Sequence, residues 1–425
     1  MGKEHMEAEN ASSKDFVKER IKARPLNKGK LVRKTISTVL SAIVFGFVFC
    51  LCFLLLEPRI DSFLHKDDEV QFVEFPEEVV EEEMLPENML TEEQTQTEIV
   101  EETLDISDYQ ELQKSLADIA DTARKSVVSV TGTTTEDNWF ENSYENKSFS
   151  SGVIIADNGL EYLILVKATG IKKAENIVVV FYNEKQAVAT LKQVDEQTGY
   201  GVVAVNKEDL SETDKENIIV ASLGSSNLST LLGTSVIALG NPMGTGDGIC
   251  YGNITSVGKP VSLVDSNYKL MTTDMYGSTQ ASGVLVNMQG KVIGMIDNSY
   301  NGTDIRNIIS ALGISEFRPL IQNLSNNVPI PYFGVKGVSV TTSVNTSYGV
   351  PFGAYVTGVT LDSPAMLAGI QSGDVITEFD GKTITTFGDL TKAILDCQKE
   401  EKVKLKVERE TPSGYTDMTI KVTLK

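Results

Sequence analysis

Histidine is nearly absent from this chain. Of 425 residues only His5 and His65 are histidines, so residues 66–425 contain none. For everything beyond residue 65 this excludes chemistry that needs an imidazole as general base or metal ligand. Cysteine is almost as scarce. Cys50 and Cys52 share one apolar run, while Cys250 and Cys397 lie far apart in sequence. That spacing offers neither a disulfide framework nor a metal-ligand set. No metal and no cofactor is expected, and the folded region must be held by its hydrophobic cores. A basic surface is missing too: 38 Lys and Arg stand against 59 Asp and Glu, for a formal net charge of −21. Nucleic acid is therefore not an expected partner.

The charge is unevenly spread. Residues 1–34 carry a net +5, residues 57–110 a net −17, and residues 111–425 the remaining −9. Between the first two blocks, Thr35–Leu56 runs for 22 positions without a charged residue. At about 1.5 Å per residue a helix of that length spans a hydrocarbon core of roughly 30 Å. The run is too long for a signal peptide, and no small-residue cleavage site follows it. Lys28, Lys30, Arg33 and Lys34 precede it and acidic residues follow. The positive-inside rule then predicts a single-pass protein of the cell membrane, with its N-terminus cytoplasmic and its C-terminal domains extracytoplasmic.

Five segments are expected: a basic cytoplasmic stretch (1–34), a transmembrane helix (35–56), an acidic linker (57–110) and two folded domains (111–328 and 329–425). The linker is rich in Glu, Thr and Gln and poor in apolar surface. Like charges repel, so a disordered tether is predicted there. A helical pattern from about Asp108 to Lys125 opens the first folded domain. Short β-branched runs follow it, among them SVVSVTG, SSGVIIA, LEYLILV, NIVVVFY, GYGVVAV, TSVIALG and GKVIGMID. Many short strands at this spacing predict an all-β barrel or sandwich, with NIISALGISEFRPLIQNL as a closing helix. In the second domain, strands around FGVKGVSV, GAYVTGV, VITEFDG, KVKLKVER and MTIKVTL accompany helices at SPAMLAGI and FGDLTKAILDCQKE, a mixed α+β pattern.

Several motifs in this C-terminal unit carry a family resemblance. They are Tyr332-Phe333-Gly334-Val335, Ser363-Pro364-Ala365, Ala368-Gly369-Ile370, Gly373-Asp374-Val375-Ile376 and Asp380-Gly381-Lys382. In order and spacing they resemble a PDZ domain of the HtrA/Deg type. The resemblance implies that Tyr332, Phe333, Gly334 and Val335 form a turn whose backbone N–H groups receive a peptide's terminal carboxylate. The peptide then adds as an extra strand.

The central unit resembles the trypsin-like domain of the same serine protease family. The matching pieces are Ser151-Gly152-Val153-Ile154-Ile155, Ala238-Leu239-Gly240-Asn241-Pro242-Met243-Gly244, Ser282-Gly283-Val284-Leu285-Val286-Asn287 and Gly290-Lys291-Val292-Ile293-Gly294. The implied fold is mainly β: a double six-stranded barrel followed by the α+β PDZ domain. The catalytic positions depart from the family pattern. In register, the histidine falls on Thr169, the aspartate on Gly199 and the nucleophilic serine on Ala281. Ser282 replaces the glycine that follows the nucleophile, and Thr279 replaces a glycine of the oxyanion hole.

With all three triad positions changed, the resemblance implies a catalytically inactive protease homologue, a pseudoprotease. Its PDZ domain would bind exposed C-termini of peptides, unfolded proteins or membrane proteins in extracytoplasmic quality control or signalling. The family also implies a homotrimer. The rival expectation is an active endopeptidase that uses Ser282 as nucleophile and Lys167 as base, since Lys167 lies two residues before Thr169 and an extended strand would face both to one side.

Overall fold

The computed structural model describes residues 39–40, 71–76, 105–136 and 144–425. The expected membrane segment 35–56 lies outside these residues except for Val39 and Leu40. Among the described residues no helix is long and apolar enough to cross a membrane.

Helix α1 (Ile106–Arg124) opens the first folded domain and starts slightly earlier than the sequence pattern predicts. Asp105 caps it by accepting from the Ser107 and Asp108 N–H groups, and Asp108 returns the bond, a complete capping box. Ala120 and Ala123 turn into the core.

Twelve strands follow. The first six are β1 (Val127–Glu136), β2 (Tyr144–Asp157), β3 (Glu161–Lys167), β4 (Asn176–Val180), β5 (Gln186–Val194) and β6 (Tyr200–Asn206). They close a barrel in the order β1-β2-β3-β6-β5-β4. The short helix α2 (Glu212–Glu216) separates them from β7 (Ser235–Asn241), β8 (Gly248–Leu263), β9 (Ser266–Tyr276), β10 (Ser282–Asn287), β11 (Val292–Ile296) and β12 (Ile308–Gly313). These close a second barrel, β7-β8-β9-β12-β11-β10, which repeats the first order six strands later. Strands β3, β6, β10 and β11 are apolar almost throughout because both of their faces are covered.

The stretch read as one closing helix divides at Gly313. Ile308–Gly313 is strand β12, and only Ile314–Ser325 forms helix α3. The second barrel needs its sixth strand, and β12 supplies it by pairing with β9 and β11. Helix α3 buries Ile314, Phe317, Leu320, Ile321 and Leu324. Phe317 sits between Tyr200 of the first barrel, with ring centroids 5.1 Å apart, and Tyr268 of the second, at 4.6 Å. One aromatic seam thus joins both barrels to the helix.

The predicted disordered tether needs a correction at residues 71–76. Val73 and Phe75 pack against the barrel core. The Val73 N–H donates to Asn326 Oδ1 at 2.9 Å, and Asn326 Nδ2 returns a bond to Val73 O at 2.8 Å. Two apolar side chains and this pair of bonds hold the short strap on α3.

The C-terminal unit is a sheet in the order β13-β14-β15-β17-β18, with β16 (Lys382–Thr383) paired to β15. Its strands are β13 (Val335–Ser339), β14 (Ala354–Val359), β15 (Val375–Phe379), β17 (Lys402–Thr411) and β18 (Gly414–Thr423). Helices α4 (Thr342–Tyr348), α5 (Pro364–Leu367) and α6 (Phe387–Leu395) complete it, and α4 was not foreseen from sequence. The core gathers Phe333, Phe379, Phe387 and Leu390. In this sheet β13 is an edge strand, hydrogen-bonded only to β14.

Candidate functional site

Two places gather the residues that the sequence singled out. The first is a cleft between the barrels, with a cavity of about 650 Å³ lined by Lys167, Thr169, Thr279, Ala281, Ser282 and Asp297 among others. Thr169 follows β3, Gly199 precedes β6 and Ala281 precedes β10. The fold brings the first two together: Gly199 O accepts from the Ala168 N–H at 2.8 Å, and a Cβ on Gly199 would lie 2.8 Å from Thr169 Oγ1. Just before Gly199, Asp195 and Thr198 bind each other. The Asp195 carboxylate accepts from the Thr198 N–H at 2.9 Å and from its hydroxyl at 2.6 Å.

The Ser282 hydroxyl is already engaged as an acceptor. Its Oγ accepts from the Ser151 N–H at 3.0 Å, and the residue is 9% exposed. Lys167 does not approach this hydroxyl by a hydrogen bond. Its ammonium pairs with the buried Asp297 carboxylate across the cleft floor and stands 5.1 Å from the centre of the Tyr200 ring and 5.6 Å from that of Tyr300. Asp297 also accepts from the Ser299 N–H at 3.1 Å and from its hydroxyl at 2.6 Å. The Ala281 N–H, which an oxyanion hole would use, donates instead to Ser278 O at 3.0 Å.

The second place is the turn before β13. Three successive backbone N–H groups, those of Phe333, Gly334 and Val335, point at one carboxylate, and each reaches an oxygen at 2.8 Å. That carboxylate is Asp265, at the tip of the β8–β9 hairpin of the second barrel. The fourth turn residue, Tyr332, does not join them, because its N–H donates to Lys425 O at 2.8 Å. Ser363 packs against Gly334 so closely that a Cβ on the glycine would lie 2.2 Å from the serine Cβ. Sequence reasoning found the turn but missed Asp265, which sits in Val264-Asp265-Ser266-Asn267 and reads as an ordinary turn residue.

Asp265 as a residue is half-buried, but its carboxylate is withdrawn from water. Burial pushes its carboxyl from 3.8 up to about 6; the three N–H groups pull downward without cancelling this, and nearby Asp195 pushes it further up. A folded value above the unfolded one means that the native state holds the proton more tightly. The associated stability is therefore complete below pH 3.8 and is lost as pH rises through about 6. The displacement corresponds to at most about 3 kcal/mol. Against Asp265→Asn, whose side chain does not titrate, the wild-type chain is expected to lose stability across this window and to differ by a constant amount above it. Denaturant midpoints of both proteins, measured from pH 4 to 8, check this. A difference that does not change with pH would remove Asp265 as its source.

Among the described residues no group of three or more His, Cys, Asp or Glu is placed to hold a metal ion. Burial raises the thiols of Cys250 and Cys397, the latter to about 11.

The match with known proteins follows the same division. Residues 150–295 match the trypsin-like peptidase domain family and residues 331–424 the PDZ domain family. A probable periplasmic serine endoprotease, DegP-like, of Marinomonas sp. is 27% identical over 288 residues, covering 66% of this chain and 58% of the relative. A putative serine protease, HhoA, of Synechocystis sp. is 29% identical, covering 61% of this chain and 67% of the relative. The serine protease Do-like HtrB of Bacillus subtilis is 26% identical, covering 64% and 61%. Much of each relative's length, over two fifths in the first, is thus left unmatched. Among solved structures, the HtrA-type protease AlgW with a decapeptide superposes with a TM-score of 0.52 at 21% identity, covering 73% of this chain and 98% of that one. The chain therefore joins a trypsin-like peptidase domain to a PDZ domain and is similar to serine proteases of the HtrA and DegP type.

Proposed function

We propose that this chain is a catalytically inactive homologue of the HtrA-type proteases that captures the free C-termini of peptides or proteins through its PDZ domain. The observation that carries this reading is the turn at Phe333–Val335, whose three N–H groups already hold a carboxylate. A peptide's terminal carboxylate has the same chemistry, and β13 is the edge strand of its sheet, along which the peptide would run. The uncharged run Thr35–Leu56 supports a membrane anchor, with the two domains 111–328 and 329–425 on the extracytoplasmic side beyond the acidic segment. In that place a module that recognises chain ends fits extracytoplasmic quality control of unfolded or membrane proteins. Assembly as a trimer belongs to this proposal by family likeness.

Inactivity rests on the cleft. No imidazole is available after residue 65, Gly199 has no side chain to orient one, and Ala281 has no hydroxyl. The rival endopeptidase, with Ser282 activated by Lys167, needs a lysine free to take a proton. Lys167 is instead committed to Asp297. Loss of a triad typically leaves only about 10³–10⁴-fold acceleration over water. The test incubates the full chain with a fluorophosphonate probe and with casein. Ser282 is expected to stay unlabelled, and casein breakdown to be no faster than with Ser282→Ala. Labelling at Ser282, or cleavage abolished by that substitution, would establish the endopeptidase instead.

A further inference from the structure

We propose that Asp265 is a built-in occupant of the PDZ carboxylate site, so that an incoming C-terminus and the second barrel compete for the same three N–H groups. The inference rests on the peptide-capture reading and adds its regulation. The hairpin tip occupies more than the carboxylate position. The Asp265 N–H donates to Val335 O at 2.7 Å, as the last residue of an added strand would. Two side chains flanking the tip, Ser262 through Oγ at 3.1 Å and Asn267 through Nδ2 at 2.9 Å, donate to Gly337 O two residues further along β13. On the opposite wall, Thr391 of α6 donates its hydroxyl to Asp265 O at 2.9 Å. The tip thus lies between β13 and α6 and satisfies the edge carbonyls that a bound peptide would use.

Two features of this contact favour its opening. Asn267 Oδ1 is buried with no hydrogen-bond partner, a desolvated acceptor that opening would return to water. A cavity of about 440 Å³ lies beside the contact, lined by Asp265, Tyr268, Tyr332 and Thr391 among others, so the junction is not close-packed there.

Exchange of one carboxylate for another leaves the charge-assisted bonds to the turn nearly unchanged. The balance is then set by what else each occupant brings. The hairpin brings its tether, which gives Asp265 an effective concentration in the millimolar range. A peptide must overcome this, and its apparent affinity falls by the fraction of molecules that are open. Capture of a chain end would in turn release the β8–β9 hairpin from the PDZ unit, so that occupancy of one domain is felt in the other.

The test measures binding of the full chain to an immobilised randomised heptapeptide pool with free C-terminal carboxylates, and to the same pool amidated. Asp265→Ala is expected to raise apparent affinity for the free-acid pool at least tenfold, and Asp265→Asn, which keeps the shape and one neutral acceptor, by less. Ser262→Ala leaves the carboxylate site intact but removes one of the bonds to Gly337 O, so it should shift binding in the same direction; a gain there guards against a misfolded Asp265 variant. Equal binding by wild type and all three variants, with the acid pool still preferred over the amide, would overturn the competition and leave peptide capture standing. No preference for the acid pool in any protein would remove peptide capture itself, and the competition with it.

Discussion

Gly283→Ala is expected to unfold the second barrel, with a loss of at least about 4 kcal/mol. Gly283 faces Gly240 where β10 pairs with β7, at a φ of 131°. A Cβ added there would meet Leu239 O at 2.0 Å, a backbone atom that cannot swing aside as a side chain can. The backbone conformation is unfavourable for any L side chain, so strain and collision add. Gly302→Ala serves as the control, since nothing lies within 4 Å of the added methyl group. Denaturant unfolding should show the control shifted by less than about 1 kcal/mol. If Gly283→Ala behaves like the control, the close approach of β7 and β10 is wrong.

The second large effect concerns a buried charge in the PDZ unit. Asp374 is 1% exposed. Its carboxylate receives two bonds from Arg409, Nε at 2.6 Å and Nη2 at 2.8 Å, and one from the Gln371 N–H at 2.8 Å. Arg409→Ala would leave that carboxylate buried without its counter-charge, a loss of roughly 3–5 kcal/mol. The double variant Arg409→Ala with Asp374→Asn removes the stranded charge and should recover much of this. Arg409→Lys should fall between, because an ammonium cannot reproduce the paired bonds of a guanidinium. Thermal or denaturant unfolding of the PDZ unit measures all three. Equal destabilisation of the single and double Ala variants would show that packing of the arginine stem, not the buried charge, is at stake.

The sequence made some elements of this molecule legible and hid others for physical reasons. Strands such as β3 and β6, covered on both faces, appear as unbroken apolar runs. Strand β5 alternates, with Ala187 and Ala189 buried between exposed neighbours, and β8 carries Gly258, Lys259 and Pro260 in mid-course. Neither stands out as a run. The β12–α3 boundary was hidden because apolar residues continue across Gly313, and only tertiary pairing decides where strand gives way to helix. In the cleft, Thr169 and Ala281 could be placed by register because the flanking strands carry strong motifs. Asp265 could not. Its partners lie almost seventy residues away in another domain, and nothing local separates a hairpin-tip aspartate that caps a turn from one that fills a distant site.

The aromatic seam of Tyr200, Phe317 and Tyr268 also bears on how the molecule is made. The last strand of the first barrel ends at Asn206, yet Phe317, against which its Tyr200 packs, comes only after the second barrel. That contact can form only once the whole second barrel has been synthesised. The early barrel is therefore a partner for α3 long before it is a finished domain.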